Sequence, residues 1–159
     1  MGFGFALRRL ALIGPGKDPA ELTFTRGLNV IAGASDTGKS FVAQCLDYAL
    51  GSSAQPKEIP EAEGYCSVVV EIEANSDQRV YSLERSLRGG EVLCKTNGRA
   101  DRVLAAKHQG GKEDTVSQFL LDLSGLGTKR VRTNERGTTR PLSFRDIARL
   151  VIVDEETVI

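Results

Sequence analysis

The chain has 159 residues, 40% of them hydrophobic, enough for one core and too few for two comfortable ones. Lys and Arg together number 21, as do Asp and Glu, so no global field draws the molecule to nucleic acid or an anionic membrane, and any such binding needs a local patch. Three widely spaced cysteines, Cys45, Cys66 and Cys94, set among apolar residues, argue against a disulfide framework or a zinc site and fit a reducing cytoplasm.

The opening MGFGFALRRLALIG lacks the order of an export signal, and no stretch approaches the length of about 18 apolar residues that spans a bilayer, so a soluble, cytoplasmic protein without membrane contact is expected. FALRRLALI and AELTF read as strands around the turn-rich GPGKDP. LNVIAG is more continuously apolar and predicts a third strand, buried on both faces. From Lys39 to Leu50 the period becomes helical: Val42, Cys45, Leu46, Ala49 and Leu50 share one face, and Gly51 stands where a left-handed cap ends a helix. After PKEIPEAEG come YCSVVVEIEA, RVYSLERSL and EVLCKT, then an Asn97-Gly98 turn, which together predict an antiparallel meander with one wet face.

HQGGKED reads as an exposed loop. TVSQFLLDL is a short helix opened by a Thr115 and Gln118 capping box, and KRVRTNERGTTRPL is a polar hairpin. SFRDIARLVIVDEETVI predicts a helix, boxed by Ser143 and Asp146, that runs into a strand-like VIV. No internal repeat is present. The expected organisation is a single lobe of 1–159, with a strand and P-loop helix core over 1–51, a meander over 64–105, and a helix, basic hairpin and terminal helix or strand over 114–159. A seam is expected near 51–64, between a mostly parallel first part and an antiparallel second part.

Residues 33–40, GASDTGKS, satisfy G-x-x-x-x-G-K-[ST] between an apolar run and an amphipathic helix. The glycines let the backbone curl so that successive N–H groups face phosphate oxygens, and the helix start adds free N–H groups and its positive dipole end. Gly33, Ala34, Ser35, Asp36, Thr37, Gly38, Lys39, Ser40 and Phe41 are therefore the candidate nucleotide-binding set. Lys39 is expected on the β- and γ-phosphates and Ser40 on Mg²⁺, which makes ATP with Mg²⁺ the expected ligand.

The succession of a strand with LRRL, a second strand ending in Phe24, then GLNVIAGASDTGKS and a helix ending Leu50-Gly51 resembles the N-terminal lobe of SMC- and SbcC-type ATPase heads, an ABC-class, AAA-family group with members in DNA repair and phage defence. VVVEIEA and YSLERSL are similar to the sheet that follows the P-loop helix in that class. Ser35 and Asp36 depart from the Asn and Gly usual there. The resemblance implies an ATPase completed by a C-terminal lobe, with signature motif and Walker B strand, and by a second copy of the head.

RLVIVDEE has three readings. As the end of an N-terminal lobe it occupies the Q-loop position, with Glu155 in place of Gln. Alternatively, Asp154-Glu155 is a Walker B pair, or a surface strand end without a role. Both functional readings bring Glu155 to the metal side of the site as a catalytic and Mg²⁺-contacting residue. LDLSGLG at 121–127 is similar to the LSGGQ signature, but Leu126 replaces a required Gly and helix termination at Gly125 is preferred. Lys129, Arg130, Arg132, Arg136 and Arg140 either contact a DNA backbone or form the solvated face of a hairpin. His108 reads as a loop residue, and Arg85 as a surface or cross-strand pair.

The expected fold is α/β: a P-loop NTPase lobe with a mixed core sheet, one main P-loop helix and an added antiparallel sheet. The expected function is ATP binding, with hydrolysis in the completed assembly. Two other classes stay open: a self-contained small P-loop kinase or NTPase with Asp154-Glu155 as Walker B, and a nucleotide-gated interaction module that never turns ATP over.

Overall fold

A computed structural model describes residues 2–35, 37–107 and 114–153. Six strands form one sheet in the order β2-β1-β3-β4-β5-β6, every neighbouring pair antiparallel: β1 (Phe5–Ile13), β2 (Ala20–Thr23), β3 (Ser67–Ala74), β4 (Val80–Ser86), β5 (Val92–Thr96) and β6 (Arg102–Leu104). Alternation sets its two faces. Leu10, Val68, Val70, Ile72, Leu83, Val92, Cys94 and Leu104 point to one side and are buried beneath α1 (Lys39–Ala49) and α2 (Val116–Leu123). The opposite side carries ion pairs, Arg9 with Glu21 and Glu71, and Lys95 with Glu84.

The α/β class and the principal P-loop helix stand, but the division of the sheet does not. β1 pairs along its length with β3, from Phe5 opposite Ala74 to Ile13 opposite Ser67, so the ladder crosses the expected seam and the first strands are antiparallel like the rest. LNVIAG is not a strand among the described residues. Asn29 braces a turn ahead of it, accepting from the Thr25 N–H at 3.0 Å and donating to Thr25 O at 2.8 Å. Among the described residues no strand lies alongside to complete a ladder, and Leu28 and Val30 are 89% and 78% exposed instead of doubly buried. Arg26 fixes the same turn to the sheet through Asn75 (3.0 Å) and Glu73.

Thr115 caps α2, accepting from the Gln118 N–H at 3.0 Å, but the Gln118 side chain turns to Asp122 and Gly127 O and does not close the box. The polar hairpin forms as β7 (Arg130–Arg132) and β8 (Thr139–Pro141). Ser143 and Asp146 make both halves of their box at the start of α3 (Phe144–Val151). The helix takes in the first residue of VIV and Ile152 is its cap, so no strand follows there among the described residues. Arg85 is neither a surface residue nor a cross-strand pair: it is 6% exposed and inward-facing. It donates to Tyr48 O and Ser52 O, both at 2.7 Å, and stacks 3.8 Å above the Tyr48 ring. Burial pushes its pKa down from the usual value, opposed by Tyr48 and Glu91. The guanidinium thus ties the carbonyl end of α1 to β4. Among the described residues no helix is long and apolar enough to cross a membrane.

Candidate functional site

The two described flanks of the loop, residues 33–35 and 37–40, are tied together by hydrogen bonds. Gly38 has φ 83°, a left-handed conformation that an L side chain strains to adopt, and it turns the chain into α1. A Cβ on Gly33 would stand 2.9 Å from Thr37 Oγ1, so a side chain there would make Thr37 turn and give up its bond to Ala34 O. Thr37 Oγ1 donates to Ala34 O at 2.8 Å, and Lys39 Nζ donates to Gly33 O at 2.7 Å and Ala34 O at 2.5 Å. Lys39 therefore curls back over the loop, its ammonium held at the loop's mouth by carbonyls that a stronger anion can outbid.

The first amide to bond along the helix is Val42, to Gly38 O at 3.0 Å, which leaves the preceding N–H groups ahead of the ladder at the positive end of an 11-residue helix. Ser40 lies on the exposed side of this first turn.

Lys39 and Ser40 open onto a cleft of ≈ 510 Å³ whose walls include Leu7, Leu28, Ile31 and Val151 to Val153. Of the expected set, Gly33, Ala34, Ser35, Thr37, Gly38, Lys39, Ser40 and Phe41 lie together at the loop and helix start. Asp36, His108, Asp154 and Glu155 lie outside the described residues. Phe41 faces away from the main cleft. It lines a smaller depression of ≈ 300 Å³ between α1 and the β1–β2 hairpin, with Leu10, Leu12, Leu22, Thr37 and Gly38.

The family model described as an AAA domain matches residues 13–148 of the chain. The chain belongs to the AAA domain family. Its match begins at the last residue of β1 and takes in the P-loop, the meander and most of α3. AAA membership makes this an ATPase-type nucleotide-binding domain, and the loop geometry fits: a left-handed glycine at the turn into α1, helix N–H groups ahead of the ladder and a cationic side chain at the mouth. Among curated proteins no relative matches the chain.

Sequence reasoning missed the cleft wall supplied by the end of α3. Ile147 and Val151 repeat at i and i+4, so the apolar face was legible, but which surface it meets depends on tertiary packing. The basic hairpin sits on the surface, with Lys129, Arg130, Arg132, Arg136 and Arg140 all exposed. Arg130 donates to Thr139, Arg132 to the carbonyls of Asn134 and Glu135, and Arg140 forks onto Asp146 at 2.6 and 2.8 Å. Hydrogen bonding to Asp146 raises the Arg140 pKa, and among the described residues this is the one of the five charges paired with a carboxylate.

Proposed function

We propose that the chain is the ATP-binding N-terminal lobe of an SMC- or SbcC-like head, hydrolysing ATP once a C-terminal lobe and a second head complete the site, in DNA repair or phage defence. The observation that carries ATP binding is the loop itself, with Lys39 Nζ held over Gly33 O and Ala34 O at the start of α1. Backbone N–H groups of the loop would hold the phosphates with Lys39, and Ser40 would ligate Mg²⁺. Bound Mg·ATP supplies the transferable phosphoryl group and the divalent charge that neutralises its oxygens. Leu10, Leu12 and Leu22 beside Phe41 offer the apolar wall that suits a nucleobase.

The lobe reading is supported by the exposed apolar segment ahead of the P-loop. Leu28, Val30 and Ile31 lie on the surface, and Leu150, Val151 and Val153 are exposed as well, so a ribbon patterned for burial lies open beside the nucleotide cleft. A partner lobe that adds strands there would bury it. Val153 lines the cleft one residue before Asp154, which favours a metal-side role for Glu155. The exposed hairpin offers DNA phosphates a sequence-independent contact through Lys129, Arg130, Arg132 and Arg136.

A fluorescent ATP analogue tests the reading. Lys39→Ala should weaken binding by at least about tenfold, the loss of one charge-assisted phosphate contact, with unchanged circular dichroism. Wild-type affinity in that variant would overturn the P-loop assignment. The isolated chain should turn ATP over hardly at all, and the C-terminal lobe added in trans should restore a rate rising faster than linearly with concentration. Steady turnover by the chain alone, linear in its concentration, would sink the split-head reading.

A further inference from the structure

A bidentate ion pair joins the P-loop helix to α3: Arg145 Nη1 donates to Asp47 Oδ1 at 2.6 Å and Nη2 to Oδ2 at 2.9 Å, each side chain about a third exposed (31% and 32%). Both partners sit where their own helix disfavours them. Asp47 is an anion in the last turn of α1, at its negative dipole end, and Arg145 is a cation in the first turn of α3, at its positive end. Each is an unfavourable choice alone, and the choice becomes sensible only with the other present.

The pair has a second geometric property. From Asp47 back to Ser40 along α1, and from Arg145 forward to Val151 along α3, the two arms each run roughly 10 Å at the helical rise, and both end on the walls of the same cleft. The rest of α3 is fastened elsewhere: Arg140 grips Asp146, the Phe144 N–H donates to Ser117 Oγ at 2.8 Å, and the Phe144 ring lies 6.0 Å from Phe5. Its cleft end, Leu150, Val151 and Val153, is exposed.

We propose that Asp47 and Arg145 are positioning residues that bind α3 to the P-loop helix, so that occupation of the P-loop is felt as ordering of the cleft wall at 151–153. This rests on nucleotide binding at the P-loop and adds the route by which that binding reaches α3. The fork supplies direction as well as charge, since two parallel N–H···O bonds fix the planes of both groups, which a lysine ammonium cannot do.

Amide hydrogen exchange on the full chain, with and without Mg²⁺ and a non-hydrolysable ATP analogue, tests this. In the wild type the analogue should slow exchange at the P-loop and α1 start, and also at 148–152, by about tenfold relative to β3 and β4. Asp47→Asn should keep P-loop protection and lose most of the α3 effect, about fivefold or more, because a partly exposed pair of good geometry is being removed. Arg145→Lys should fall between, and Asp47→Asn with Arg145→Gln should be no worse than either alone, the mark of two groups acting as one unit. Equal α3 protection in Asp47→Asn, or none in the wild type while the P-loop is protected, overturns the proposal and leaves nucleotide binding intact. Absence of P-loop protection in the wild type overturns the nucleotide reading itself, and this proposal with it.

Discussion

Replacing Arg85 with Ala removes two 2.7 Å hydrogen bonds from a charged donor, to Tyr48 O and Ser52 O, together with the stack 3.8 Å above Tyr48. Bonds from charged donors contribute about 1.5–3 kcal/mol each, and a desolvated cation over a ring about 2 kcal/mol. The three contacts share one guanidinium and do not add in full, so their sum of about 5–8 kcal/mol is an upper bound. The deletion also takes this donor from Ser52 O, just beyond α1, while Tyr48 O keeps the Gly51 N–H at 3.1 Å. A net loss of about 3–4 kcal/mol is expected, a large part of the roughly 5–15 kcal/mol that holds a domain together. Arg85→Lys keeps the charge but cannot reach both carbonyls and stack at once, so about half that loss should remain. Urea unfolding followed at 222 nm would register the Ala variant as a midpoint lowered by about 1.5–2 M, taking a slope near 2 kcal/mol per M. An Ala variant within about 1 kcal/mol of the wild type, or a Lys variant indistinguishable from it, would refute the account of Arg85 as the fastening of α1 to β4.

Gly38→Ala meets open space, so its cost is backbone strain alone: about 1–2 kcal/mol of stability, with weakened nucleotide binding as the loop re-forms, measurable by melting and by titration of the fluorescent analogue. Substituting Arg130 and Arg132 together with Ala should lower affinity for DNA duplexes of unrelated sequence to the same extent and reduce the salt slope by about 2, and a wild-type chain that shows no DNA retention at low salt would end that reading. Burial pushes the Cys45 thiol from 9.0 up to about 12, so the unfolded chain ionises first as pH rises. The associated stability is complete below pH 9.0 and is lost progressively toward pH 12, and urea midpoints compared at pH 8 and 10.5 in wild type and Cys45→Ala would measure the slope. At pH 8 a thiol reagent should take the exposed Cys66 first and leave buried Cys45 and Cys94 until the chain unfolds.

Most elements were legible because local rules and tertiary packing agree in them. Val68, Val70 and Ile72 alternate as an inward strand must, Gly51 takes φ 105° just beyond α1, and Ser143 with Asp146 closes the box that starts α3. Two readings failed for one reason: an apolar or charged residue was assigned an environment without knowing its neighbour. Leu28 to Ile31 have the composition of a buried strand, but burial needs a partner strand and the adjoining turn is braced by Asn29. Arg85 has the same parity as Tyr81 and Leu83, so alternation already placed it inward; what the pattern lacked was the pair of helix-end carbonyls that make a buried guanidinium tolerable. β6 was implied by the Asn97-Gly98 turn but is only three residues long, too short for a periodicity to register. The P-loop was plain because its chemistry is local, whereas the cleft wall from α3 comes from more than 100 residues away in sequence.

The surface apolar ribbon of Leu28, Val30 and Ile31 has a cellular consequence. Chaperones and proteases recognise unfinished proteins by apolar residues at the surface, and this chain displays such a stretch while folded. On the proposed reading, its lifetime should then follow the supply of the partner lobe that covers the ribbon, with surplus copies cleared and matched copies spared. Stoichiometry would be enforced after translation by a segment of four residues whose next neighbours build the nucleotide loop.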